Sequence, residues 1–317
     1  MKHFEFENGS SMPMLGLGTW LMLDGSAYEA VKTAIEIGYR HIDCAWIYLN
    51  ETDIGRAIKD CIDGGVVTRG DLWITTKLWN DCHRAEHVEK ALQQQLKNLQ
   101  LEYVDLYLIH WPVAHQYQVV RPESADQFLS LDEVPLTETW SAMLECVGSG
   151  LSRHAGVANF SRKKVDQLIT ETGVAPACVQ VECHPYLQQN TLLNYCTEKD
   201  IAFVAYSPLG SGSRPDRLKK HDEPNLFEIE VVQEIASSHG ATAAQVLLAW
   251  LINRGAIPIP KSSNPQRQKE NLQSVHIDLT EQQMVVLSEL DQSYRFVDGK
   301  FWEIPGGPYQ AIEIWDE

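Results

Sequence analysis

The 317-residue chain has no CxxC pair, no uninterrupted apolar run of 18 residues, no internal repeat and no low-complexity linker. Each absence removes a class of protein. Seven cysteines (44, 61, 82, 146, 178, 183 and 196), odd in number and without zinc-ribbon spacing, point to neither a disulfide framework nor a structural zinc site. Reduced thiols in a cytoplasmic setting are the expectation. MKHFEFENGS lacks a basic stretch followed by an apolar one, so neither a secretory signal nor a membrane anchor is expected. Positive charge is scarce: 26 Lys and Arg face 43 Asp and Glu, the net charge is −17 and the pI about 5.0, a balance that repels phosphate backbones and anionic lipid. Nucleic acid and membrane surfaces are therefore not expected partners. A GxGxxG phosphate turn is also missing, because GLGTWL fails at Leu21 and GSGSRP at Pro215, which leaves a doubly wound dinucleotide fold without its signature.

What is present is a hydrophobic period that switches repeatedly between short apolar runs and helical patterns. FEF, NGSS and MPM read as a small hairpin. Strand-like segments follow near residues 16, 41, 72, 104, 154, 178, 202 and 256. Helical periodicity separates them, over 26–37, a segment capped by Asn50, 84–99, 138–149, 161–172, 189–199, 228–239 and 242–253, with a last helix from Pro265. VDLYLIHW is continuously apolar, as expected of a strand covered on both faces. Eight βα units predict a (β/α)8 TIM barrel, with residues 1–317 as one domain. The region 113–136 reads as a polar insert, and 291–317 as a loop closing over one end.

In such a barrel the chemistry sits at the C-terminal ends of the strands. Asp43 ends the second strand with Tyr48 just beyond, Lys77 ends the third and His110 the fourth; Asn159 follows the fifth, Gln180 and Glu182 lie on the sixth, and Tyr206 and Ser207 end the seventh. A phenol has a pKa near 10, and a neighbouring ammonium such as Lys77 lowers it. Buried Lys77 needs a counter-ion, for which Asp43 is placed. His110 can donate a hydrogen bond to a substrate oxygen on which charge develops, leaving Tyr48 as general acid for a carbonyl. No residue of this set supplies electrons.

GLGTW, HIDCAWIYLNE, TTKLW, LYLIHWP, GVANF, VQVECHPY, YSPLGS and IPKSSNPQRQKEN together resemble the aldo-keto reductase superfamily, within its aldose and aldehyde reductase branch, from about residue 4 to residue 290. The resemblance implies a nicotinamide dinucleotide lying across the barrel mouth, direct hydride transfer without a metal, and a catalytic tetrad of Asp43, Tyr48, Lys77 and His110. It implies a nicotinamide stacked on Tyr206, its carboxamide held by Asn159 and Gln180, and a pyrophosphate loop of Ser207, Leu209 and Ser211 with Asp216 at its far end. It places Lys261, Ser262 and Arg267 on the adenosine phosphate, Glu270 and Asn271 near adenine, and Thr19 and Trp20 among the first-strand contacts. Lys261 with Arg267, and a helix opening at Pro265, favour NADPH/NADP+ over NADH, whose use stays compatible with Asn264 and Glu270. Two positions depart from the family pattern: Ala158 stands where a serine is usual, and Leu21 where some relatives have a lysine.

The expected substrate is a small carbonyl compound, in a pocket walled by Trp20, Trp79, Trp111, Phe301 and Trp302 beside Tyr48 and His110. Val297 replaces the asparagine usual in sugar-reducing relatives. His184 and Glu182 read as structural, and Lys219, Lys220 and His221 as solvated loop. No exposed heptad or apolar edge suggests assembly, so a monomer is expected. Two other classes stay open: a metal-dependent barrel hydrolase using His41, Asp43, His110 and His184, and a nucleotide-sensing regulatory barrel without turnover.

Overall fold

The computed structural model describes residues 2–317. A hairpin of β1 (His3–Glu5) and β2 (Ser11–Pro13) opens the chain. Strand and helix then alternate through β3 (Leu17–Gly18), β4 (His41–Asp43), β5 (Trp73–Leu78) and β6 (Val104–Ile109). A second small hairpin, β7 (Ala114–His115) with β8 (Phe128–Leu129), precedes β9 (Ser152–Ala158), β10 (Cys178–Glu182), β11 (Ala202–Tyr206) and β12 (Ile257–Pro258). β3 to β6 and β9 to β12 form one eight-stranded parallel sheet whose order follows the chain, the arrangement of a (β/α)8 TIM-type barrel.

Closure of the sheet onto itself requires glycine. The Gly16 and Gly18 amides donate to the Pro258 and Pro260 carbonyls at 3.0 and 3.1 Å. A Cβ on Gly18 would lie 2.7 Å from the Ile259 carbonyl oxygen, so any larger residue would push the first and last strands apart.

Every residue of β5 and β6 is buried, as the apolar run predicts for a strand covered on both faces. Side chains alternate: Leu106 and Leu108 fill the lumen with Val204 and Ile257, whereas Tyr107 and Ile109 pack under the helices with Trp140 and Met143. The N-terminal hairpin plugs the barrel floor, its Phe6 stacked on Trp73 (5.3 Å) and His154 (4.4 Å). Only the opposite mouth is left for a ligand. Among the described residues no single helix is long and apolar enough to cross a membrane.

The helices expected from periodicity form within two residues of their expected ends as far as Ala243–Asn253. Four expectations need correction. The helix from Pro265 stops at Gln273 and is not the last, because Thr280 and Gln283 form a capping box that starts Glu281–Ser288. The tail is not all loop: it ends in the short helix Ala311–Trp315. The 113–136 region is not simply polar, since Val113, Ala114, His115 and Phe128 are buried in and around its hairpin. Asn50 stands at the cap position of Glu51–Asp63 but makes no capping bond; its amide instead donates to the Thr19 and Met22 carbonyls at 2.8 and 3.1 Å, tying the helix start to the first barrel loop.

Candidate active site

Asp43 ends β4, Lys77 is the penultimate residue of the adjacent β5, and both are buried. The Lys77 ammonium donates to Asp43 Oδ1 and, at 2.8 Å, to the Cys44 carbonyl. Gln180 Nε2 donates to the other Asp43 oxygen at 2.7 Å, and Thr19 Oγ1 to the Asp43 carbonyl at 2.8 Å. Tyr48 closes the single turn Trp46–Tyr48 beyond β4, and its ring centre lies 5.2 Å from Lys77 Nζ. His110 meets it edge to face, with ring centres 5.8 Å apart. The structure thus brings Asp43, Tyr48, Lys77 and His110 into one site.

Electrostatics there are set first by burial. Burial alone would lower Lys77, but Asp43 and Tyr48 hold it above its ordinary value, so it stays an ammonium. Burial and then the Lys77 charge push His110 well below the usual histidine value, leaving a neutral imidazole. Its Nδ1 is sealed from solvent without a partner, whereas Nε2 is not. Tyr48 departs from the expected sign: Lys77 does lower it, but burial raises it by more, and the phenol lies above its ordinary pKa. Charge pairing was legible in the sequence; the depth of the pocket was not.

Asn159 sits at φ 62°, a left-handed conformation asparagine tolerates, and so bridges two neighbours: its amide donates to the His110 carbonyl at 2.8 Å and its oxygen accepts from the Tyr206 hydroxyl at 2.7 Å. Ser207 and Ser211 are also left-handed, at 48° and 50°, in the loop leaving β11, with half-buried Leu209 between them. Asp216, further along that loop, is exposed and pairs with Lys219 at 3.2 Å.

Beyond β12, burial and then neighbouring Arg267 lower Lys261, and among the described residues neither cation has a carboxylate partner. Ser262 Oγ accepts the Asn264 amide at 3.2 Å, and Asn264 Oδ1 caps the following helix by accepting the Arg267 amide at 3.0 Å. Glu270 is held by Gln266 at 2.8 Å, while Asn271 is buried. Sequence reasoning missed Gln268, fully buried, whose amide donates to the Ser262 and Ala30 carbonyls and fixes this loop on the first helix.

Over the mouth lies an aromatic wall. Trp79 packs on His110 (5.2 Å) and Trp302 (5.8 Å); Trp111 packs on Phe301 (5.4 Å) and Trp302 (5.9 Å). Trp315, absent from the sequence reading, joins it at 5.7 Å from Trp111, and Tyr309 ties the tail to the insert by accepting the Ala114 amide and donating to the Leu129 carbonyl. The one available signal was the apolar, aromatic spacing of AIEIW. Trp20 is half-buried at the end of the first strand and stands outside this cluster. His184 and Glu182 pair with each other away from Asp43. Lys220 is less free than expected, donating to the Arg295 carbonyl at 3.0 Å.

Asp43 is a poor metal ligand here, because Lys77 and Gln180 occupy both its oxygens. His41 is also withdrawn: burial lowers it to about 4, and its Nδ1 lies 3.3 Å from the Pro13 carbonyl, below the site.

Comparison with known proteins gives one consistent result. Residues 14–292 match the Aldo/keto reductase family. The whole chain is similar to an aldo/keto reductase of Synechocystis sp., at 47% identity over 317 residues and 97% of that protein's length. It is similar to the aldo-keto reductase family 1 member A1 proteins of Rattus norvegicus and Mus musculus, at 43% and 44% identity over 301 residues, covering 92% of each chain.

Proposed function

The chain belongs to the aldo/keto reductase family, and we propose that it reduces aldehydes to alcohols with NADPH, using Tyr48 as proton donor. The observation carrying this reading is the placement of the Tyr48 phenol between the Lys77 ammonium and the neutral His110 ring, under an aromatic wall. A bound nicotinamide dinucleotide supplies the hydride. The residues present fit that group: Lys261 and Arg267, without a carboxylate partner among the described residues, suit its ribose phosphate, the Tyr206 ring suits its nicotinamide with Gln180 Oε1 as the acceptor left for its carboxamide, and Ser207 and Ser211 suit its pyrophosphate.

The chain's own part is positioning and proton supply. His110 Nε2, as the open nitrogen of a neutral imidazole, donates to the carbonyl oxygen and orients it. Tyr48 protonates that oxygen as charge develops on it, and the Lys77 ammonium, held by Asp43, stabilises the resulting phenolate. Trp79, Trp111 and Trp302 exclude water and favour apolar or aromatic aldehydes, with Val297 offering sugar hydroxyls no hydrogen bond from its side chain. The reading includes one domain acting as a monomer, in a cytoplasmic setting that the seven free cysteines support. A steady-state assay following NADPH absorbance with a panel of aldehydes tests it. Turnover of several aldehydes is expected; tight NADPH binding with no turnover of any would replace this reading with the regulatory one.

A further inference from the structure

Gln180 and Glu182 share a face of β10, two residues apart, and engage different parts of the protein. Gln180 reaches Asp43. Glu182, with no exposure, accepts the backbone amides of Phe296 at 2.6 Å and Val297 at 2.7 Å, one on each carboxylate oxygen. His184 Nε2 lies 2.8 Å from Oε1 as a third donor, and the His184 ring packs edge to face on Phe296 at 4.9 Å. A fully buried carboxylate is costly unless its lone pairs are met, and here three donors meet it. Burial would push its carboxyl up, yet the His184 and tail-amide bonds hold it below the ordinary range.

The clamped residues lead directly into the pocket wall. Val297 packs against the aromatic cluster, the Asp298 carbonyl accepts the Trp315 indole at 2.7 Å, and Trp302 meets both Trp79 and Trp111. Other ties hold the same segment: Lys220 pairs with Asp298 at 3.2 Å, a half-exposed ion pair of the kind that contributes little, and donates to the Arg295 carbonyl at 3.0 Å, while the Tyr294 amide donates to the Tyr186 carbonyl at 2.8 Å. Among these ties the buried carboxylate is the one that holds two successive tail amides at once, at the point where the wall begins.

We propose that Glu182 is a positioning residue that sets substrate selectivity by fixing the tail over the barrel mouth, a role that rests on the reductase reading of the site. Glu182→Gln keeps the side chain's shape but turns an NH2 group toward a tail amide, setting donor against donor. In the full-length protein, KM for bulky aromatic aldehydes should rise by about tenfold, with kcat and NADPH affinity changed by no more than about twofold. Trypsin cleavage after Arg295 and Lys300, mapped by mass spectrometry, should accelerate in the same variant. Glu182→Asp, which keeps the carboxylate charge but draws its oxygens back from the tail amides, should reproduce both effects if Glu182→Gln does not fold. An unchanged tail-cleavage rate, or NADPH affinity falling in step with the KM effect, overturns the proposal. A wild-type protein that turns over no aldehyde refutes the reductase reading and the selectivity role with it, whereas a protected tail in the variants refutes the anchor alone.

Discussion

Gln180 and Asp43 lie on strands four places apart in either direction around the closed barrel, and the Gln180 amide crosses the lumen to meet Asp43 Oδ2 at 2.7 Å. Asp43 thus has one oxygen for Lys77 and one for the opposite wall. This fixes the orientation of the carboxylate and with it the position of the buried ammonium beside Tyr48.

Removing one member of that pair should cost more than removing both. Asp43→Ala leaves a buried ammonium without its counter-ion, a loss of about 3–5 kcal/mol of stability, while Asp43→Ala with Lys77→Met should recover a large part of it. Urea unfolding of the single and double variants measures this. Equal stabilities would show that the pair is not electrostatically coupled.

Tyr48→Phe should lower kcat by about 10²-fold or more while leaving NADPH affinity nearly intact, since it removes only the acid. Lys77→Met should also lower kcat. Wild-type kcat in Tyr48→Phe, with chemistry demonstrated to be rate-limiting by a deuterium isotope effect, would assign the proton to another group.

The pH profile carries two signs. His110 is held well below its ordinary 6.5 by burial and by Lys77, so it stays neutral and should put no limb into kcat/KM for reduction between about pH 6 and 8. Tyr48 lies above its ordinary 10.0 because burial outweighs Lys77; an acid must be protonated to act, so reduction should fall only above that value. A limb near neutrality that persists in Tyr48→Phe but vanishes in a His110 variant would contradict the neutral-imidazole assignment.

Arg267→Ala should weaken NADPH binding by about one to two orders of magnitude, the loss of one charge-assisted hydrogen bond, and barely change NADH binding. Fluorescence titration with both dinucleotides decides it. Equal weakening of both would mean that Arg267 does not read the ribose phosphate.

What the sequence determined is whatever depends on local order. Alternation of apolar runs with 3.6-residue periodicity put strand ends at Asp43, Lys77 and His110, and in a parallel barrel all strand ends point to one mouth, so their meeting followed from the strand count. The start of Pro265–Gln273 followed from Pro265, and the N-terminal hairpin from NGSS. What the tertiary structure decided are contacts between residues far apart in the chain. Asn50 left its capping position for carbonyls of the first loop, Glu182 took amides from residues 296 and 297, and Trp315 entered the wall. The sign of the Tyr48 shift belongs with these, since it depends on how far burial of the phenol outweighs the Lys77 charge beside it. Periodicity tells a side chain which face it occupies, but its partner is chosen by barrel closure and by the path of the tail, which no local pattern encodes.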